Sequence, residues 1–201
     1  MAKVQRSVQY RYLDRSRAGL GDKKLEQVLR EALGEKRDGA VIGSVARARI
    51  ADLEQSGQLT LWNGLQGFGD KATLAGELLL YKQGFDVTAI EEDLEHDHAR
   101  FKLVNYQTDG KNKPVEGALY FAVIGDHLGV IQSNAVTGRW LERYFTWLLK
   151  DMTGLIEAES VIHLSAKQLL GNEDPRRRGP AKALTMHAQS STRNERSLRE
   201  K

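Results

Sequence analysis

The densest concentration of reactive side chains is residues 91–100, EEDLEHDHAR, which hold five carboxylates and two histidines. Glu91, Glu92, Asp93, Glu95 and Asp97 offer hard oxygen donors and His96 and His98 offer imidazoles, a donor set for Mg²⁺, Mn²⁺ or Zn²⁺. Extended backbone alternates its side chains, so Glu91, Asp93 and Glu95 share one face while Glu92 and Leu94 take the other. Metal ligands must converge, and alternation divides these. His96 and His98 fall where the chain must turn, and Asp97 suits a turn for backbone reasons alone. The stretch therefore reads as an acidic connection between two strands, FDVTAI before it and FKLVNYQT after it, with no metal or other cofactor. A metal-dependent nuclease using Glu91, Asp93, Glu95 and His96 is the less favoured alternative, because no Glu-x-Lys accompanies the acids.

Other catalytic signatures fail. No Gly-x-Ser-x-Gly occurs, and GLQGFGDKAT, with Gly64, Gly67, Gly69 and Lys71, lacks the Gly-Lys-Ser/Thr adjacency that holds phosphate in a nucleotide loop. His127 lies at an expected hairpin tip, His163 in an apolar run and His187 far from other reactive groups. No catalytic residue is assigned. Basic residues remain: Arg11, Arg15, Arg17, Lys23 and Lys24 flank an expected strand-to-helix turn, Arg47 and Arg49 alternate in ARARI, and Arg176, Arg177 and Arg178 form a run. The arginine fork donates parallel hydrogen bonds that match a phosphate.

Charge is unevenly placed. Residues 1–50 carry 12 Lys and Arg against 6 Asp and Glu, and residues 51–100 carry 3 against 10, within a chain of net charge +3. The basic quarter can meet a polyanion or pair with acids of its own chain. There are no cysteines among the 201 residues, which excludes disulfides, thiolate metal sites and cysteine nucleophiles and fits a reducing compartment. No signal peptide or membrane-spanning run is read, so a cytoplasmic location is expected.

The elements that must position these groups follow from periodicity. Residues 4–13 read as a first strand. GDKKLEQVLREALGEK places Leu25, Val28, Leu29, Ala32 and Leu33 on one helical stripe, with Asp22 as expected N-cap and Gly34 as expected C′ residue. Residues 40–66 are ambiguous: SVARARIADLEQSG reads as a short helix capped by Ser44 or, in ARARI, as a strand, and QLTLWNG reads as a strand closed by an Asn-Gly turn; ATLAGELLLYKQ is helix or buried strand. VEGALYFAVIGDHLGVIQSN is a central hairpin turning at Gly125-Asp126, and TGRWLERYFTWLLKDM is a helix with Thr137 as expected cap. The expected fold is α+β, a mostly antiparallel sheet built from hairpins with helices packed on one face, formed by residues 1–171. Residues 172–201, charged and holding two of three prolines, are expected to be a linker or tail.

The stretch GALYFAVIGDHLGVIQSNAVTGRWLERYFTWLL resembles the core of RexA-like phage-exclusion proteins and, more loosely, KwaB-like phage-defence proteins. The likeness spans residues 117–149 and rests on Gly125, Asp126 and Gly129 in a hairpin followed by a Leu-rich helix. It implies a prokaryotic or phage protein that binds DNA with little sequence preference, as a homodimer working with a membrane or effector partner; no functional residue transfers. The expected function is thus a non-enzymatic DNA-binding or effector-binding subunit of a bacterial anti-phage system. Arg11, Arg15, Arg17, Lys23, Lys24, Arg47 and Arg49 would contact phosphates. The alternative is a scaffold docking a protein partner through Arg176, Arg177 and Arg178.

Overall fold

The computed structural model of the chain describes residues 8–69, 73–82, 89–91, 102–104 and 113–166. Residues 92–98, the expected boundary at 171 and the run 176–178 lie outside the described residues. In chain order the elements are β1 (Gln9–Asp14), α1 (Leu25–Gly34), β2 (Lys36–Arg37), β3 (Ala40–Val41), β4 (Ile50–Ala51), β5 (Gln58–Gln66), β6 (Leu74–Lys82), β7 (Ala89–Glu91), β8 (Lys102–Val104), β9 (Lys113–Ile124), β10 (His127–Gln132), α2 (Gly138–Thr146) and β11 (His163–Ser165). Seven strands pair in the spatial order β11-β1-β10-β9-β6-β5-β4, each contact antiparallel. The protein is an antiparallel sheet with two helices among the described residues. The β9–β10 hairpin lies at its centre, as the sequence leads one to expect. β7 and β8 pair as the two arms on either side of the acidic connection, and β7 also pairs with β9.

The apolar pattern explains which strands are central. In β6, Leu74, Leu78 and Leu80 enter the main core with Phe121 and Val123 of β9, while Leu79 and Tyr81 enter a second cluster with Ala46 and Leu61. A strand buried on both faces shows no alternation, which is why ATLAGELLLYKQ is ambiguous as sequence. Gly76 interrupts that run because a Cβ there would lie 2.0 Å from Trp62 Nε1. Helix α1 buries all five residues of its apolar stripe, and α2 buries Leu141, Tyr144 and Phe145. Beyond α2 the chain continues in wider π-helical turns over Trp147–Met152, burying Leu148 and Leu149.

Four local expectations are corrected. Asn63-Gly64 is a bulge inside β5 rather than a turn, with Gly64 at φ 58°. Asn63 is buried and its Nδ2 donates to Glu77 Oε1 on β6 at 2.7 Å, a cross-strand bond that holds the residue in the sheet. Gly34 is the last helical residue of α1 and does not adopt the left-handed conformation of a C′ glycine. Thr137 precedes α2 but its side chain caps nothing; Gly138 N–H donates instead to Gln132 Oε1 at 3.0 Å. Asp22 is not the cap of α1. That role belongs to Asp126, 101 residues away, whose Oδ1 accepts Leu25 N–H at 2.9 Å.

Around this last contact the turn between β9 and β10 becomes a junction. Gly125, at φ 61°, exchanges two bonds with Glu26: Glu26 N–H donates to Gly125 O at 3.0 Å, and Gly125 N–H donates to Glu26 Oε2 at 2.8 Å. Leu13 N–H of β1 donates to Asp126 O at 2.9 Å. Arg15 Nη1 and Lys24 Nζ reach Asp126 Oδ2 at 2.9 and 3.3 Å. Asp126 is 2% exposed, and burial alone would raise its pKa; the bonds from Leu25 N–H, Arg15 and Lys24 outweigh that and hold the carboxyl below its ordinary 3.8. Among the described residues no helix is long and apolar enough to cross a membrane.

Asp126→Ala strips the first turn of α1 of its acceptor and leaves Arg15 without its carboxylate. It should lower the unfolding free energy by about 1–3 kcal/mol in urea titration. Because the folded pKa is depressed, the carboxylate stabilises fully above the unfolded value and its contribution fades as pH falls through the lower folded value. The difference in stability between wild type and Asp126→Asn should therefore shrink on acidification below pH about 4.

Candidate nucleic-acid interface

The basic residues between β1 and α1 do gather in space, but they are partly neutralised there. Arg15 and Lys24 share Asp126, and Arg15 Nη2 also donates to Lys23 O at 3.0 Å. Two cations against one carboxylate leave one positive charge. Lys23 pairs with Glu31 at 2.7 Å, across the first turns of α1. Arg17 is exposed, and its field and the Ser16 hydrogen bonds help hold the neighbouring Asp14 carboxyl below its usual range, the Ser16 bonds being the larger cause. The intramolecular pairing of this basic quarter thus draws on its own acids and Asp126. Arg30, in the same quarter, pairs with Glu26 at 2.8 Å.

Arg47 and Arg49, adjacent in the alternating ARARI, have opposite fates because Ala46–Arg49 form a 3₁₀ turn leading into β4. Arg47 is exposed. Arg49 is fully buried, which corrects its expected role: its Nε donates to Trp62 O at 2.9 Å, and its Nη1 to the carbonyls of Ile42 and Gly43, both at 2.8 Å. It holds the turn to β5 and is out of reach of phosphate. Burial pulls its pKa below the usual guanidinium range, opposed by Tyr144. Tyr144 OH donates to Arg49 O at 2.6 Å, and burial drives its own ionisation far above the usual tyrosine range.

Arg11 is the cation the fold places most usefully. Leu13 and Arg11 share a face of β1, and where Leu13 meets the core Arg11 meets the start of α2. Its guanidinium lies 3.9 Å from where a Cβ on Gly138 would stand, within ordinary contact of the helix start. Together with Gln132, Thr137, Arg139, Glu142 and His163 it lines a cleft of about 290 Å³. Arg11 Nη2 donates to Gln9 Oε1 at 2.9 Å, while its buried Nε has no hydrogen-bond partner among the described residues. The first turn of α2 contains Arg139 and no acid, although the positive end of a helix dipole favours acids there. Glu142, one turn further on, is engaged by His163 Nδ1 at 3.0 Å and Leu164 N–H at 2.6 Å. Two guanidinium groups and a helix start thus converge on one recess. Arg139 was not singled out by sequence reasoning; an arginine immediately after a Thr-Gly helix start was the available signal.

The opposite face of β1 is aromatic. Tyr12 stands across from His127 and Tyr10 across from Gly129. The His127 ring centroid lies 5.9 Å from that of Tyr10 and 5.1 Å from that of Tyr12, and Tyr10 OH is 2.6 Å from His127 Nδ1. Among the described residues no three His, Asp or Glu side chains are grouped to hold a metal ion; the residues of the acidic connection, 92–98, are not among them.

Arg49→Ala leaves three backbone carbonyls without a donor and opens a cavity, and should destabilise the fold by about 3–5 kcal/mol in denaturant titration. Arg47→Ala should change stability by no more than about 0.5 kcal/mol. Comparison of the chain with family models, curated proteins and solved structures finds no match.

Proposed function

We propose that this chain is a non-enzymatic, cytoplasmic nucleic-acid-binding subunit that grips phosphates without reading sequence. The observation that carries this reading is the cleft at the start of α2. There Arg11 and Arg139 flank a helix start that has no first-turn acid, and Arg11 keeps an unused buried donor. An unused N–H of an arginine is what a phosphate oxygen satisfies, because the planar fork donates to it in parallel, and Glu142 in the same wall is already engaged by His163 and Leu164 N–H. Arg17 and the net charge left by Arg15, Lys24 and Asp126 extend the positive potential along β1. Both helices bury their apolar residues in the cluster that holds Leu78, Leu80 and Phe121. This supports a sheet covered by helices on one face, while part of the other face is closed by the smaller cluster of Ala46, Leu61, Leu79 and Tyr81. The placement in anti-phage defence rests on the resemblance of residues 117–149.

Backbone binding of this kind is governed by release of condensed counterions. Fluorescence anisotropy with a labelled oligonucleotide should give log affinity that falls linearly with log salt. Arg11→Ala combined with Arg139→Ala should reduce that slope by about 1–2, since each phosphate contact contributes roughly 0.7–0.9. No binding at low salt, on the order of 50 mM, would overturn the reading.

A further inference from the structure

We propose that the outer face of β1 and β10, built on Tyr10, Tyr12 and His127, stacks the unpaired bases of single-stranded nucleic acid. The proposal rests on the nucleic-acid reading above and names the form of nucleic acid bound.

Alternation puts Tyr10 and Tyr12 on the side of β1 away from Leu13 and the main core. Register carries the same face across the hairpin, from Tyr12 to His127 to Ile124 and from Tyr10 to Gly129 to Ala122. Val8 continues the alternation below Tyr10. Among the described residues four large apolar side chains are exposed, and three of them are on this face: Val8 at 52%, Tyr10 at 46% and Ile124 at 51%. The fourth, Val161, stands alone. The rings are also fixed rather than loose, since the Tyr10–His127 hydrogen bond of 2.6 Å ties together two strands' side chains. Gly129, directly across from Tyr10, raises no side chain that would keep a planar group off that ring.

The rings of Tyr10 and Tyr12 are inclined to that of His127 by 35° and 56°, so each offers its own face to a planar π-system, and every base has one. The bases of a duplex are stacked on one another and present only their edges, so unpaired bases fit this face and paired ones do not. Positive charge lies beside the rings rather than among them. Arg11, the next residue after Tyr10, faces the Arg139 cleft, and Arg15 and Lys24 with Asp126 leave one positive charge beyond Tyr12. A strand leaving the face past Tyr12 meets that positive charge.

The test uses the full chain and three labelled probes of equal length: a mixed-sequence single strand, its duplex, and a single strand whose bases are replaced by abasic sites. Anisotropy at low salt should rank the intact single strand about tenfold or more above both others. Tyr10→Ala should cost the intact strand about tenfold, and Tyr10→Phe, which keeps the ring, should remain near wild type; thermal melts of both variants check that the fold persists. Equal affinity for all three probes, or no loss in Tyr10→Ala, overturns base stacking while leaving phosphate binding standing. Absence of binding to every probe overturns the phosphate reading and this one together. A wild-type dimer in sedimentation that Tyr10→Ala dissociates assigns the face to a second copy and likewise overturns the proposal.

Discussion

The fold depends on one buried carboxylate. Asp126 sits in a turn of two residues, the tightest way to join antiparallel strands, yet it answers for the helix start of α1, for Arg15 and for Lys24, while its carbonyl receives β1. A lone carboxylate at that depth would be strongly disfavoured, and its partners would each lack an acceptor. Satisfied together, they lock strand, hairpin and helix into one arrangement. Glu26 and Gly125 repeat the same logic on the backbone one residue along.

The two ends of β10 act alike. Asp126 precedes the strand and caps α1, and Gln132 closes it and receives the first N–H of α2. Gln27 of α1 accepts Lys24 N–H at 2.8 Å, but the first N–H of each helix goes to a residue at an end of β10, which sets where both begin. This also fixes the cleft: Gln132 stands in its wall because it is holding α2, and Arg11 reaches the same place because β1 pairs with β10.

Much of the architecture was legible in the sequence. The stripe Leu25, Val28, Leu29, Ala32, Leu33 and the apolar run before Gly125-Asp126 carry their periods openly, because burial on one helix face or in one hairpin leaves a local pattern. What was hidden is non-local. Asp22 looked like the cap because it is adjacent, whereas the actual cap is 101 residues distant. Asn63-Gly64 looked like a turn because that pair favours one, and a bond to Glu77 on another strand overrode it. Arg47 and Arg49 looked equivalent, and only the three carbonyls waiting around Arg49 separate them. Arg139 and the ring cluster of Tyr10, Tyr12 and His127 likewise exist as groups only after β1 pairs with β10.

The long reach of the α1 cap has a consequence for synthesis. A ten-residue helix is too short to persist by itself in water, and the first N–H of α1 finds its acceptor in Asp126. The chain grows from its N-terminus, so about 100 further residues must be added after Leu25 before Asp126 appears, roughly 5–20 s at ordinary elongation rates. Through that interval the five apolar residues of α1 have no sheet to cover. The N-terminal quarter of this protein is therefore made first and completed late, and its assembly waits on a turn in the middle of the chain.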